Sequence, residues 1–253
     1  MSQSVALEGL TAAEYDEQWG VLSDFIRYHP GARHRRRLIL KMVRDLACPR
    51  ILDVGCGPGE LVSFFRENLP GRDLTGCDLS PEVIAANTQR IPDARFRVLD
   101  IASGRLDEQF DLVVCSEVIE HVADQPAAFR NLAAMVAPGG HLLITCPTGT
   151  IYPTEVHFGH VKHPRLEELV EMGRGSGLRP RISLNWGWPT YRALKFATNI
   201  NSDWAIENFA AGDYSAASRW LSHLLYALNH LNFNSRLGVS LFVLFEQAGE
   251  GER

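Results

Sequence analysis

From Arg50 to Cys146 short apolar runs alternate with helical stretches, and this alternation limits the fold more than any other feature of the chain. The runs Arg50 to Val54, Leu74 to Cys77, Arg95 to Leu99, Phe110 to Cys115 and His141 to Cys146 read as strands. Between them, apolar residues at three- and four-residue steps mark helices near Leu61 to Asn68, after Ser80-Pro81, and near Gln125 to Met135. Strands joined by helices must cross over, so they run parallel in a sheet covered on both faces. A helix at Arg165 to Met172 and strands at Arg179 to Leu184 and Val239 to Phe245 complete the expected architecture. It is an α/β fold with a doubly wound, mostly parallel seven-stranded sheet. Leu10 to Cys48 is helical in pattern and is broken at Pro30-Gly31.

A length of 253 residues suits one core with an elaboration. The expected parts are an N-terminal helical lid over 1–49, a ligand-binding core over 50–184, a helical insertion over 185–236, and 237–253 as the last strand with its tail. The insertion is rich in aromatics, among them Trp186, Trp188, Trp204 and Trp220. Trp220, Leu221, Leu224, Leu225, Leu228 and Leu231 share one helix face. Such a segment reads as the roof of an apolar acceptor pocket. The alternative is a dimerisation surface, with a homodimer as its consequence.

With 25 basic and 30 acidic residues the formal charge is -5, so the chain has no positive field to draw it onto nucleic acid. No run approaches the roughly 18 apolar residues that would span a membrane. The first ten residues have no signal-peptide character. The five cysteines are far apart and lack zinc-ligand spacing. They read as buried, reduced thiols of a cytoplasmic protein.

Asp53-Val54-Gly55-Cys56-Gly57-Pro58-Gly59 places three glycines between a strand and a helix. Glycine permits a sharp turn and lets a ligand approach main-chain N–H groups without meeting a Cβ. Asp78, at the end of the second strand, is placed to accept the hydroxyls of a ribose. Dinucleotide folds share these parts but space them G-x-G-x-x-G, whereas the spacing here is G-x-G-x-G. The loop resembles motif I of the class I (Rossmann-like) S-adenosylmethionine (SAM) dependent methyltransferases. Leu74 to Pro81, Phe96 to Ile101, Phe110 to Val122 and Ala137-Pro138-Gly139-Gly140 resemble their later motifs, in the same order.

The resemblance implies SAM as cofactor, with S-adenosylhomocysteine as product. It implies that the backbone at Gly55, Cys56 and Gly57 carries the methionine part, with Gly59 also among the cofactor-binding residues and Asp53 turned toward the amino end. Asp78 would hold the ribose, Leu79 and Ile101 would sandwich the adenine, and Asp100 would accept from its amino group. Ser116 and Glu117 would lie beside the sulfonium, unless Glu117 caps a helix. The activity implied is methyl transfer to an oxygen or nitrogen of a small molecule such as a sugar, a quinone-like ring or a secondary-metabolite intermediate. The alternatives are an RNA or protein methyltransferase, or a SAM-binding enzyme or subunit that transfers no methyl group.

The activated methyl leaves the protein two tasks, alignment and, for a hydroxyl acceptor, removal of a proton. His157, His160 and His163 stand in the loop after the fifth strand. His157 and His160 are the first candidates for a base, with His121 behind them, each with an ordinary pKa near 6.5. Spaced at i, i+3 and i+6, the loop histidines match no strong zinc template, and no metal is expected. Arg33 to Arg37 is the one concentrated basic cluster, either a solvated helix face or a site for an anion. Tyr15 and Trp19 belong to the expected lid.

Overall fold

The computed structural model describes residues 11–14, 27–209 and 214–248. Tyr15 and Trp19 therefore lie outside the described residues. Seven strands form one sheet: β1 (Arg50–Val54), β2 (Asp73–Asp78), β3 (Arg95–Val98), β4 (Phe110–Ser116), β5 (Val136–Pro147), β6 (Leu178–Trp186) and β7 (Ser240–Gln247). Their order is β3-β2-β1-β4-β5-β7-β6; β7 pairs antiparallel with β5 and β6, and the other pairs are parallel. The order reverses between β1 and β4, so the crevice at their carboxyl ends is where a ligand is received.

Helices α1 (Pro30–Val43), α2 (Glu60–Asn68) and α3 (Pro81–Arg90) precede β4. Between β4 and β6 lie α4 (Gln125–Ala134), the short α5 (Pro153–His157) and α6 (Leu166–Gly175). Local chemistry sets several starts. Pro30 and Pro81 stand in first turns, where a missing N–H costs nothing, and the His29 and Ser80 side chains accept from Ala32 and Val83 N–H.

The sheet separates two apolar layers, and the alternation along β5 and β7 shows why. Leu142, Ile144, Leu241, Val243 and Phe245 pack to one side with Phe129 of α4, while Leu143, Phe242 and Leu244 pack to the other with Phe65 of α2 and Ile39 of α1. Each fully buried Phe contributes roughly 1.5–3 kcal/mol relative to exposure. The strand β5 begins earlier than the sequence suggests. Pro138-Gly139-Gly140 falls inside it as an irregularity, with a register shift opposite Phe110 and Leu112.

Between β6 and β7 the chain forms α7 (Thr190–Thr198), α8 (Ser202–Phe209) and α9 (Ala216–Leu228). The neck of this insertion is closed, because Phe233 N–H donates to the Trp188 carbonyl at 2.9 Å and Tyr191 N–H to Asn232 Oδ1 at 3.1 Å. The apolar face of α9 is more open than a packed face would be: Trp220 is 68% exposed and Leu224 43%. Among the described residues no helix is long and apolar enough to cross a membrane.

Candidate cofactor and acceptor site

A cavity of roughly 860 Å³ opens at the switch point and continues beneath the insertion. One end is lined by Asp53, Gly55, Gly57, Asp78, Asp100 and Ile101, and the other by Arg35, Glu117, His121, His160, Tyr191 and Lys195. At the first end, Gly55 has φ +67°, and a Cβ there would stand 2.2 Å from Val118 Cγ2. A residue with a Cβ would adopt a strained backbone here and would have to displace the Val118 side chain.

Two N–H groups of the glycine loop are already committed. Cys56 N–H donates to the Cys77 carbonyl at 2.9 Å and Gly57 N–H to Asp78 Oδ2 at 2.8 Å. A pyrophosphate needs such donors. What the loop end presents instead is an acceptor: Asp53 is 3% exposed and its Oδ2 has no hydrogen-bond partner. Burial first, and the neighbouring Asp78 second, push its carboxyl up to about 8. A buried carboxyl of this kind ionises when a cation such as the ammonium of an amino acid meets it, and it would repel a phosphate. The residues present thus fit SAM.

Asp78 also accepts from Ser80 N–H at 3.1 Å, so both of its oxygens are oriented by backbone. Asp100 is held in the same way by Ala102 N–H and Ser103 Oγ, both at 2.8 Å. Leu79 and Ile101 line this end, while Gly59 does not. Gly59 stands instead in left-handed conformation before α2, where a Cβ would crowd Asn87 and Ile91, so its place is in helix packing.

The second end is built from pairs of side chains distant in sequence. Glu117 has φ +59°, an uncommon conformation for a residue with a Cβ, and its carboxylate pairs with Arg35 at 3.0 Å and accepts from Thr145 Oγ1 at 3.3 Å. It caps no helix. Ser116 is bonded to Thr145 at 2.8 Å. Lys195 of α7 pairs with Glu155 of α5 at 2.6 Å. Val161 and Lys162 N–H both donate to the Glu120 carbonyl, stapling the loop after β5 to the turn after β4. That staple brings the His121 and His160 rings to 4.7 Å.

Of the three proposed histidines, His121 and His160 line the cavity, and His157 is exposed against Phe158 outside it. The two inner rings are neutral at pH 7, far from the ordinary 6.5. Burial, chiefly, lowers His121 to about 4 and His160 to about 2, the latter helped by His121, His163 and Lys195. Glu120 moves the other way, raised well above the usual carboxylate range by burial and by Glu117.

The basic cluster is not a solvated face. Arg35 and Arg36 line the cavity, His34 is buried and stacked on Trp186 at 4.6 Å, and Arg33 lies 4.0 Å over the Tyr226 ring of α9. Glu120, Glu155, Lys195 and Tyr191 are the site residues that the sequence pattern does not single out. All five cysteines are free and buried.

Residues 28–188 match the family described as a methyltransferase domain. Among curated proteins, a trans-aconitate 2-methyltransferase of Rhizobium meliloti is 31% identical over 120 residues, which are 47% of each protein. The chain spans about half the length of the curated relatives it matches. Among solved structures, the [4+2]-cyclase SpnF superposes with a TM-score of 0.62 at 16% identity, over 96% of this chain and 99% of that one. The N-methyltransferase NodS of Bradyrhizobium japonicum, solved with S-adenosyl-L-homocysteine, gives 0.58 at 19% identity, over 93% and 97%. Both likenesses establish the fold.

Proposed function

The chain belongs to the class I SAM-dependent methyltransferase family, and from that premise we propose that it transfers the methyl group of SAM to an oxygen or nitrogen of a small molecule carrying an anionic group. The observation that carries this reading is the single cavity that joins the cofactor end to a second, cation-bearing end under the insertion. Its volume lies near the top of the range usual for ligand pockets, which suits a cofactor and a small acceptor side by side. The trans-aconitate 2-methyltransferases among the relatives are named for an acceptor of this kind.

SAM supplies an electrophilic methyl on a sulfonium. The residues of the chain do the rest. Asp53 receives the amino end, Gly55, Cys56 and Gly57 turn the chain around the methionine part, Asp78 holds the ribose, and Leu79, Asp100 and Ile101 hold the adenine. Ser116 and Glu117 stand beside the sulfonium. Arg35 and Lys195, each already oriented by a carboxylate, hold the acceptor's anion without a large cost of reorganisation. His121 and His160 bound the space that the reacting atom enters, and His157 takes no part. Of the described residues, those up to 49 act as lid, 50–184 as cofactor core and 185–236 as roof, and β7 completes the sheet. Buried free thiols suit a reducing compartment, the cytoplasm.

The test is a methyl-transfer assay with labelled SAM against small carboxylates, amines and hydroxyl compounds, repeated with Arg35→Met. Losing a charge-assisted hydrogen bond of about 1.5–3 kcal/mol should raise KM for an anionic acceptor about 10- to 100-fold and leave SAM affinity within about threefold. Activity on uncharged acceptors alone, or an Arg35→Met enzyme with unchanged KM, contradicts the anionic acceptor. S-adenosylhomocysteine never appearing with any class would favour a SAM-binding protein that transfers no methyl group.

A further inference from the structure

Glu120 is wholly buried, and both of its carboxylate oxygens lack any hydrogen-bond partner. A buried carboxylate left in this way is costly unless a cation or a donor meets it. What surrounds it is a set of metal-ligand types. One oxygen of Glu120, one ring nitrogen of His121 and one of His160 lie within 4.8 Å of one another. Two ligands about 2.1 Å from a shared tetrahedral ion stand about 3.4 Å apart, so a small inward movement closes the set.

The hydrogen bonds bear on the tautomers of the two rings. His121 Nδ1 lies 3.2 Å from the Gly159 carbonyl, which can only accept, so Nδ1 carries the proton and Nε2 the lone pair. A ligating histidine is commonly fixed by such a bond from its other nitrogen. His160 Nδ1 is 2.9 Å from His163 Nε2, and with the proton on His160 Nδ1 its Nε2 likewise presents a lone pair.

A second triad, Glu155, His160 and His163, shares His160 with the first. It is the poorer site. Glu155 already has Lys195 Nζ at 2.6 Å and accepts the Tyr152 N–H at 2.8 Å, so a cation occupies its charge. Glu120 has no such counter-ion in contact.

We propose that Glu120, His121 and His160 bind one divalent first-row transition metal ion, of the kind that a two-histidine, one-carboxylate set accepts. His121 and His160 line the cavity, so the open positions of the ion face the acceptor end. There it holds an acceptor oxygen against the methyl donor. Only this last role rests on the methyl-transfer reading. The ligand set stands without it.

The experiment uses the full chain, dialysed against a chelator and titrated with Zn²⁺ by calorimetry in the absence of SAM and acceptor, with the bound metal counted by elemental analysis. One ion per chain is expected, with micromolar or tighter affinity. Co²⁺ should give a visible absorption band at the same stoichiometry. Glu120→Gln and His160→Gln should each weaken binding at least 10-fold, the range seen when a metal site loses part of its support. His157→Gln, which alters an exposed ring, should leave it within twofold. A wild-type chain that takes up no stoichiometric ion overturns the proposal whatever the variants do. So does a loss of affinity as large in His157→Gln, or one confined to Glu155→Gln and His163→Gln. Neither result touches the methyl-transfer assay, which fails or succeeds on its own.

Discussion

The two ends of the cavity are held in place by different means. At the cofactor end side chains are oriented by backbone of the loops that directly follow β1, β2 and β3: Asp78 by Gly57 and Ser80, Asp100 by Ala102. At the acceptor end side chains orient one another across the fold, as Arg35 with Glu117 and Lys195 with Glu155. The first arrangement comes with the strand and loop sequence itself. The second exists only once α1, the turn after β4, the loop after β5 and the insertion have met. A methyl donor is common to the whole family, so a locally encoded end suits it, whereas an end assembled from distant pairs can change its acceptor without disturbing the sheet.

That contrast can be broken most severely at Gly55. Gly55→Val puts a side chain into Val118 at a positive φ, and strain with overpacking should cost about 2–6 kcal/mol of stability. Denaturant midpoints should fall accordingly, and SAM binding should vanish in calorimetry. A stable variant that binds SAM normally would mean that the loop is not held against Val118.

The opposite experiment removes only the acceptor end. The neck closes through Trp188 and Phe233, so excision of residues 190–231 with a short linker should leave the sheet folded and SAM bound within about tenfold, while turnover disappears. Circular dichroism, calorimetry and the methyl-transfer assay read the three quantities. Failure to fold would make the insertion part of the core.

A smaller effect sharpens the cofactor end. With its carboxyl held near 8, Asp53 is mostly protonated at pH 6 to 7 and must ionise to meet an ammonium. SAM affinity should therefore rise up to about tenfold per pH unit from pH 6 to 7, then level near pH 8, where the cofactor's own amino group begins to lose its proton. Asp53→Asn should abolish the slope. For the empty protein the sign is reversed: a raised carboxyl stabilises below the unfolded value near 4, and that contribution is lost as pH rises through about 8.

The same contrast decides what could be read in advance. The strands and the glycine loop are legible because period and spacing act within one element, and the apolar runs at β4 and β7 cover strands buried on both faces. Glu120 was hidden because the loop that brings His160 to it begins after β5, and nothing in the spacing of Glu120-His121 announces that meeting. Among the loop histidines, a count cannot say which turns inward. The five-residue α5 ends at His157 and leaves it outside, and Gly159, at φ +83°, turns the chain back so that His160 enters the cavity. Lys195 sits on an amphipathic helix whose sequence offers only an ordinary charged face.

The most direct trial of the central claim is calorimetry of the wild-type chain with SAM, S-adenosylhomocysteine and NAD. A loop whose N–H groups are committed to β2, and whose buried aspartate awaits a donor, should bind the first two at one site with micromolar dissociation constants and NAD not at all. Tight binding of NAD with none of SAM would contradict the account at its base.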